Sequence, residues 1–308
     1  MSAALRIGTR GSRLALWQVG WVRDRLAGAG VASEVVVVKT QGDTEVDRPL
    51  HELAGTGFFT KGIEDALLEG RIDLAVHSLK DLPTTLPPGL MLGAVPPRVD
   101  ARDVLVARQG GVTSLAALAP GTRVGTSSLR RVAQVRHLRA DLEVVPLRGN
   151  VPTRVQKVQQ GAALDAAILA FAGLARLELT DAITLTLDPL ELMPAPGQGA
   201  LGLEVRTGDA TAQAAVRPLD HPETARQVAA ERSLLAALGG GCQAPVAAYV
   251  AVTTGSGDPG PGRLYGRVTS PDGAVQLTAS SDINDPLAAG VAVADLLRAR
   301  GALELLGR

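Results

Sequence analysis

A chain of 308 residues exceeds one ordinary core, so two or three domains are expected. Its 31 basic and 31 acidic residues cancel, which argues against bulk nucleic-acid binding. The single cysteine excludes an internal disulfide or a cysteine-based zinc site, and an aromatic content of 2% leaves the core to Val, Leu, Ile and Ala.

In chain order, the opening "MSAALRIGTRGSRLALWQVGW" has arginines inside its apolar stretch, so it does not read as a secretory leader. No segment approaches the roughly 20 uncharged apolar residues of a membrane span. A soluble, cytoplasmic chain is the expectation. "LRIGT" (5–9) reads as a strand and 12–28 as a helix, followed by a buried strand in "SEVVVVKT" (33–40). Residues 61–69 make a helix and "IDLAVHS" (72–78) another strand. After the proline-rich "LPTTLPPG" the rhythm resumes, with strands at 103–107, 122–126, 142–147 and 164–170 and helices between them. This alternation predicts an α/β fold with parallel sheets. "APGQGALGLEV" (195–205) offers a further strand, where the chain is expected to cross back to the first sheet.

The final third differs. Asp220 and Glu223 form a plausible capping box around Pro222, opening a helix that stops at Gly239–Gly241. Strands at 245–253, 263–269 and 274–281 follow, then a helix over 285–301. The division expected is domain 1 at 1–97 and 198–217, domain 2 at 98–197, and a small α+β domain 3 at 218–308.

Polar clusters fall where strands end: "TRGS", "TQGD", "HSLKD", "GTSSLRR" and "LRGNVPTR". Ligands bind at such carboxyl edges in open parallel sheets. Ser127 or Ser128 can cap the helix carrying Arg130 and Arg131, and Asn150 the helix carrying Arg154. With Arg10 and Arg148, these residues make the edge anion-seeking. Any one of these arginines alone reads as solvated surface; five at matching strand ends favour a ligand. In "HSLKDLP" (77–83), Asp81 cannot help to bind an anion. It can stabilise a developing cation or relay a proton, unless it is tied up by Lys80 or spent as a helix cap. The four histidines (51, 77, 137, 221) lack metal-ligand spacing. "AGTGFFTKG" (54–62) is not a dinucleotide fingerprint and reads as a mobile loop with apolar anchors. Cys242 follows a helix C-terminus, whose dipole disfavours a thiolate. A permanent attachment point on a glycine loop suits it better than a nucleophile that turns over.

The stretches "RIGTRGSRLALWQ", "AVHSLKDLP", "GTSSLRR", "LRGNVPTR", "AILAFAGLARL", "PAPGQGALGLE" and "ERSLLAALGGGCQAP" together resemble the porphobilinogen deaminase (hydroxymethylbilane synthase) family. The resemblance implies two periplasmic-binding-protein-like α/β domains flanking a cleft, plus a third α+β domain. It implies a dipyrromethane cofactor in thioether linkage to Cys242, onto which four porphobilinogens are condensed with loss of ammonia before the tetrapyrrole is released. It makes Asp81 the catalytic carboxylate. It assigns cofactor and substrate binding to Arg10, Ser12, Phe59, Lys80, Thr126, Ser128, Arg130, Arg131, Arg148, Arg154, Arg176 and Gln198, with no metal and a monomer expected. Thr56, Gly62 and Glu52 depart from the family's pattern, so lysine roles in that loop are not carried over. The residues alone leave two rivals open: an anion-binding module with a buried cysteine, and a cysteine-nucleophile transferase or hydrolase.

Overall fold

The computed structural model describes residues 4–40, 60–161, 163–241, 244–252 and 262–307. The chain divides into two compact units, residues 1–99 with 199–225, and residues 100–198 with 226–308.

The first unit is built on β1 (Leu5–Thr9), β2 (Ser33–Val37), β3 (Leu74–Ser78), β4 (Leu90–Ala94) and β10 (Leu201–Arg206), in the order β2-β1-β3-β10-β4. Strands β2, β1 and β3 pair in parallel, whereas β10 runs antiparallel to both β3 and β4. The sheet is therefore mixed rather than parallel as expected. Strand β10 is the returning segment, which enters from the opposite direction. Helix α1 (Arg13–Gly28) covers one face, with Val19, Val22 and Leu26 packed against Ile7, Leu74, Val76 and Leu203. Helix α2 (Lys61–Leu68) covers the other through Ile63, Ala66 and Leu67. Each buried Val, Leu or Ile among these contributes about 1.5–3 kcal/mol by leaving water. The strand expected to be buried at 33–40 is the half-exposed edge strand β2, because β1 covers only one of its sides. Helix α6 (Ala210–Val216) follows β10; neither it nor β4 was anticipated from the sequence.

The second unit repeats this pattern of strand directions in β5 (Asp103–Ala107), β6 (Arg123–Gly125), β7 (Glu143–Val145), β8 (Ala166–Ala170) and β9 (Leu185–Thr186), ordered β7-β6-β8-β5-β9, with its antiparallel fourth strand first rather than last in chain order. Strands β7, β6 and β8 pair in parallel, and β5 lies antiparallel to β8. Helices α3 (Leu129–Leu138), α4 (Val151–Gln160) and α5 (Phe171–Arg176) connect its strands. The antiparallel sheet β11 (Val246–Ala251), β12 (Arg263–Thr269), β13 (Gln276–Asp282) also belongs to this unit. Helices α7 (Pro222–Ala237) and α8 (Pro286–Arg298) pack on it, and the short α9 (Ala302–Leu305) closes the chain. Gly266 in β12 lets them approach, since a Cβ there would sit 2.5 Å from Leu234 and 2.7 Å from Val293. From β12, Arg267 donates to Gln134 Oε1 and to the carbonyls of Leu190 and Glu191, joining the two sheets of this unit.

The expected Asp220–Glu223 capping box does not form. The Asp220 carboxylate accepts the Val95 N–H at 2.7 Å instead, and His221 Nδ1 accepts the Thr224 N–H. Among the described residues no helix is long and apolar enough to cross a membrane, and no cluster of His, Cys, Asp or Glu could hold a metal.

Candidate active site

In the first unit the carboxyl ends of β1 and β3 meet around a cavity of about 80 Å³. Arg10, Ser12, Gln18, Thr60, His77, Ser78 and Asp81 supply its polar wall; Leu14, Ala15, Ile63 and Val76 supply the apolar one. Ser12 sits at the N-cap of α1, where its Oγ accepts the Ala15 N–H. Its hydroxyl proton is thereby left available to a ligand. Beyond β3 a single 3-10 turn, Leu79–Asp81, carries both Lys80 and Asp81. Gln18 Nε2 donates to Ser78 Oγ at 2.9 Å, and the Leu79 N–H donates to the Ala200 carbonyl at 3.0 Å. These bonds hold the turn against α1 and β10. Among the described residues the Asp81 carboxylate makes no hydrogen bond or ion pair, so neither Lys80 nor a helix cap consumes it.

The second unit treats charge differently. At the end of β6, the buried Thr126 accepts the Ser128 N–H through its hydroxyl. Ser127 both donates to the Leu147 carbonyl and accepts the Leu147 N–H, at 2.9 and 3.0 Å. Ser128 occupies the N-cap of α3 without a side-chain capping bond. Neither serine therefore caps as expected: Ser127 instead ties the segments after β6 and β7 together. Asn150 does cap α4, accepting the Thr153 N–H at 3.0 Å.

Arg130 and Arg131 are only 4% and 5% exposed. Both converge on Asp103 at the start of β5. Arg131 binds it in a fork, with Nη2 at 2.7 Å and Nε at 3.2 Å, and Arg130 Nη2 lies 2.9 Å away. Gln198 Nε2 adds a donor at 2.7 Å and also bonds the Ala101 carbonyl. Burial alone would push the Asp103 carboxyl up. The two guanidiniums outweigh it and hold the group well below the usual carboxylate range. Burial pulls Arg130 down, offset by Asp103, and its Nε has no hydrogen-bond partner among the described residues. Arg176, at the end of α5, is pushed down to about 10 by burial. Two cations thus share one carboxylate, leaving an excess positive charge in a dry setting where an anion would be strongly held.

Arg148 and Arg154 are half-buried beside α4, with Arg154 Nε donating to the Gly149 carbonyl at 2.7 Å. The structure therefore brings Arg10, Ser12 and Asp81 into one cavity and gathers Arg130, Arg131 and Gln198 on Asp103. Cys242, Phe59 and most of the glycine loop at 54–62, including Thr56, lie outside the described residues, as does Glu52. Sequence reasoning overlooked Asp103. The only available signal was an acid at the head of the apolar run "DVLVA".

Within the first unit, the cavity of Arg10, Ser12 and Asp81 fits part of a group bearing carboxylates and pyrrole N–H donors, and within the second the buried cations fit further carboxylates. The cations and helix N-termini suit its acids, and one unspent carboxylate suits its N–H groups.

Comparison with known proteins agrees. Residues 5–214 match the model described as "Porphobilinogen deaminase, dipyromethane cofactor binding domain", and residues 225–299 match "Porphobilinogen deaminase, C-terminal domain". The porphobilinogen deaminase of Syntrophotalea carbinolica is 46% identical over 99% of this chain and 96% of its own length. That of Moorella thermoacetica is 47% identical over 98% and 95%. Among solved structures, the methionine-binding protein MetQ is similar at a TM-score of 0.44 and 15% identity, over 73% of this chain and 94% of its own. Matched over nearly its whole length by these models and relatives, the chain belongs to the porphobilinogen deaminase family.

Proposed function

We propose that the chain is a transferase that deaminates four porphobilinogens and joins them head to tail on a cysteine-linked dipyrromethane, releasing hydroxymethylbilane and ammonia. Family membership supports this activity, and the observation that carries the catalytic assignment is the unspent Asp81 carboxylate beside Arg10 in one cavity. The bound dipyrromethane supplies the α-carbon nucleophile that the first porphobilinogen meets, and Cys242 would hold it. Asp81 stabilises positive charge that develops on the substrate as ammonia departs, and accepts a proton from a ring carbon or N–H. Arg10, Ser12 and Lys80 orient substrate carboxylates on that side. Thr126, Ser128, Arg130, Arg131, Arg148, Arg154, Arg176 and Gln198 hold the acetate and propionate groups of cofactor and growing chain, with Phe59 as an apolar contact. Arg130 and Arg131 serve through the charge that Asp103 leaves unbalanced, rather than as exposed surface cations.

The three-domain division at 1–97 with 198–217, 98–197 and 218–308 is part of this reading, as are a monomeric state and a cytoplasmic location. Porphobilinogen consumption with ammonia release tests the activity. Wild-type protein is expected to release both ammonia and a linear tetrapyrrole, whereas porphobilinogen bound but unconsumed would favour the rival anion-binding module.

A further inference from the structure

One buried acid–base pair next to the cavity has no part in the reaction as described. His77 Nε2 lies 3.0 Å from Glu204 Oε2, and their side chains are 4% and 0% exposed. Glu64 on α2, itself 5% exposed, faces the pair, so two carboxylates and one imidazole share a dry layer between α2 and the sheet. Burial pushes the Glu64 carboxyl up; interaction with the Thr60 hydroxyl opposes this, the charge of Glu204 adds to it, and His77 opposes it. Glu204 Oε1 is buried without a hydrogen-bond partner among the described residues. A cluster this poorly satisfied is a costly way to fill a core. Apolar residues would fill it more cheaply, as Ile63, Ala66 and Leu67 do alongside.

We propose that His77 and Glu204 are positioning residues for Asp81, their buried hydrogen bond fixing the end of β3 and the turn that presents the carboxylate. The inference deepens the reading above and rests on it. His77 is four residues before Asp81 and lines the same cavity. The β3–β10 ladder runs from Ala75 opposite Glu204 to Ser78 opposite Leu201. Past it, the Leu79 N–H donates to the Ala200 carbonyl and the Leu82 N–H to the Leu79 carbonyl. The His77–Glu204 bond crosses the two strands immediately before the turn that carries Asp81. Strand β10 also changes register against β4 between Leu203 and Glu204. The extra residue there is Gly93 of β4, so Glu204 keeps its place in the β10 ladder with β3, opposite Ala75.

The test compares holoenzyme carrying His77→Leu with Glu204→Leu, the single variant Glu204→Gln, and Asp81→Asn. Replacing both partners of a buried hydrogen bond by apolar groups can be nearly neutral or stabilising, so the double variant should keep its melting temperature and its cofactor mass. Its kcat should fall about 10- to 100-fold with KM for porphobilinogen within about 2-fold, the signature of misplaced catalytic geometry. Exchange of the Leu79 and Leu82 amide protons should quicken about 10-fold, a readout independent of turnover. Glu204→Gln keeps an acceptor at the same place and should stay within about 3-fold of wild-type kcat. A double variant with wild-type kcat and unchanged amide exchange overturns the proposal, as does a Glu204→Gln loss equal to that of the double. Should the double variant not fold, His77→Asn decides by the same division between kcat and KM. If Asp81→Asn is inactive while the double variant is normal, only the positioning role fails; a fully active Asp81→Asn removes the catalytic reading and this inference with it.

Discussion

The two five-stranded sheets share one pattern of strand directions but use their acids in opposite ways. In the first, Asp81 sits half-buried beside a cavity with no described partner. In the second, Asp103 is wholly buried and takes bonds from Arg130, Arg131 and Gln198. The same functional group is left without a described partner in one setting and is a buried counter-ion in the other, which is why the proposed function assigns the chemistry to Asp81. What separates them is how many donors the fold aims at each: none described at Asp81, enough at Asp103 to spend every lone pair.

Removing the charge of each acid should sharpen this contrast most. Asp81→Asn is expected to lower kcat on the order of 10³-fold, within the range general acid–base groups supply, while denaturant midpoint and cofactor mass stay at wild-type values. Asp103→Asn should do the reverse. It strands two buried guanidiniums and should cost about 3–5 kcal/mol of stability by urea unfolding, the range found when one partner of a buried pair is removed. Equal stability losses in the two variants would break the comparison.

A third acid gives a pH-dependent version. Asp73 accepts from Arg6 and Arg206; burial pushes its carboxyl up, but those bonds hold it at about 2 against an ordinary 3.8. A depressed folded-state value contributes stability that is fully present above 3.8 and lost as pH falls toward 2. Asp73→Asn should therefore remove about 2 kcal/mol at neutral pH and flatten the acid limb of the unfolding curve across that window. The smallest effect belongs to Asn150→Ala, which deletes the cap of α4 and should cost about 1 kcal/mol by thermal unfolding.

Much of this architecture was legible because β-branched runs such as "DVLVA" and the amphipathic helices carry their own period. The polar clusters at strand ends were legible for the same reason, since each interrupts an apolar run. What escaped were features set by partners distant in sequence. The antiparallel direction of β10 depends on where the chain returns, and β2 is half-exposed because it has a neighbour on one side only. Asp220 was diverted from capping by the Val95 N–H, 125 residues away in sequence. Arg130 and Arg131 read as edge cations because nothing near them announces Asp103. His77 was noticed as part of "HSLKD", but Glu204 lies 127 residues further on inside "LGLEV" and carries no local sign of its role.

The claim on which the reading most depends is the covalent primer at Cys242. Intact mass spectrometry of protein that consumes porphobilinogen tests it directly. The expected mass exceeds that of the polypeptide by two linked pyrrole units, an increment absent from Cys242→Ala. A bare polypeptide mass from fully active protein would contradict it.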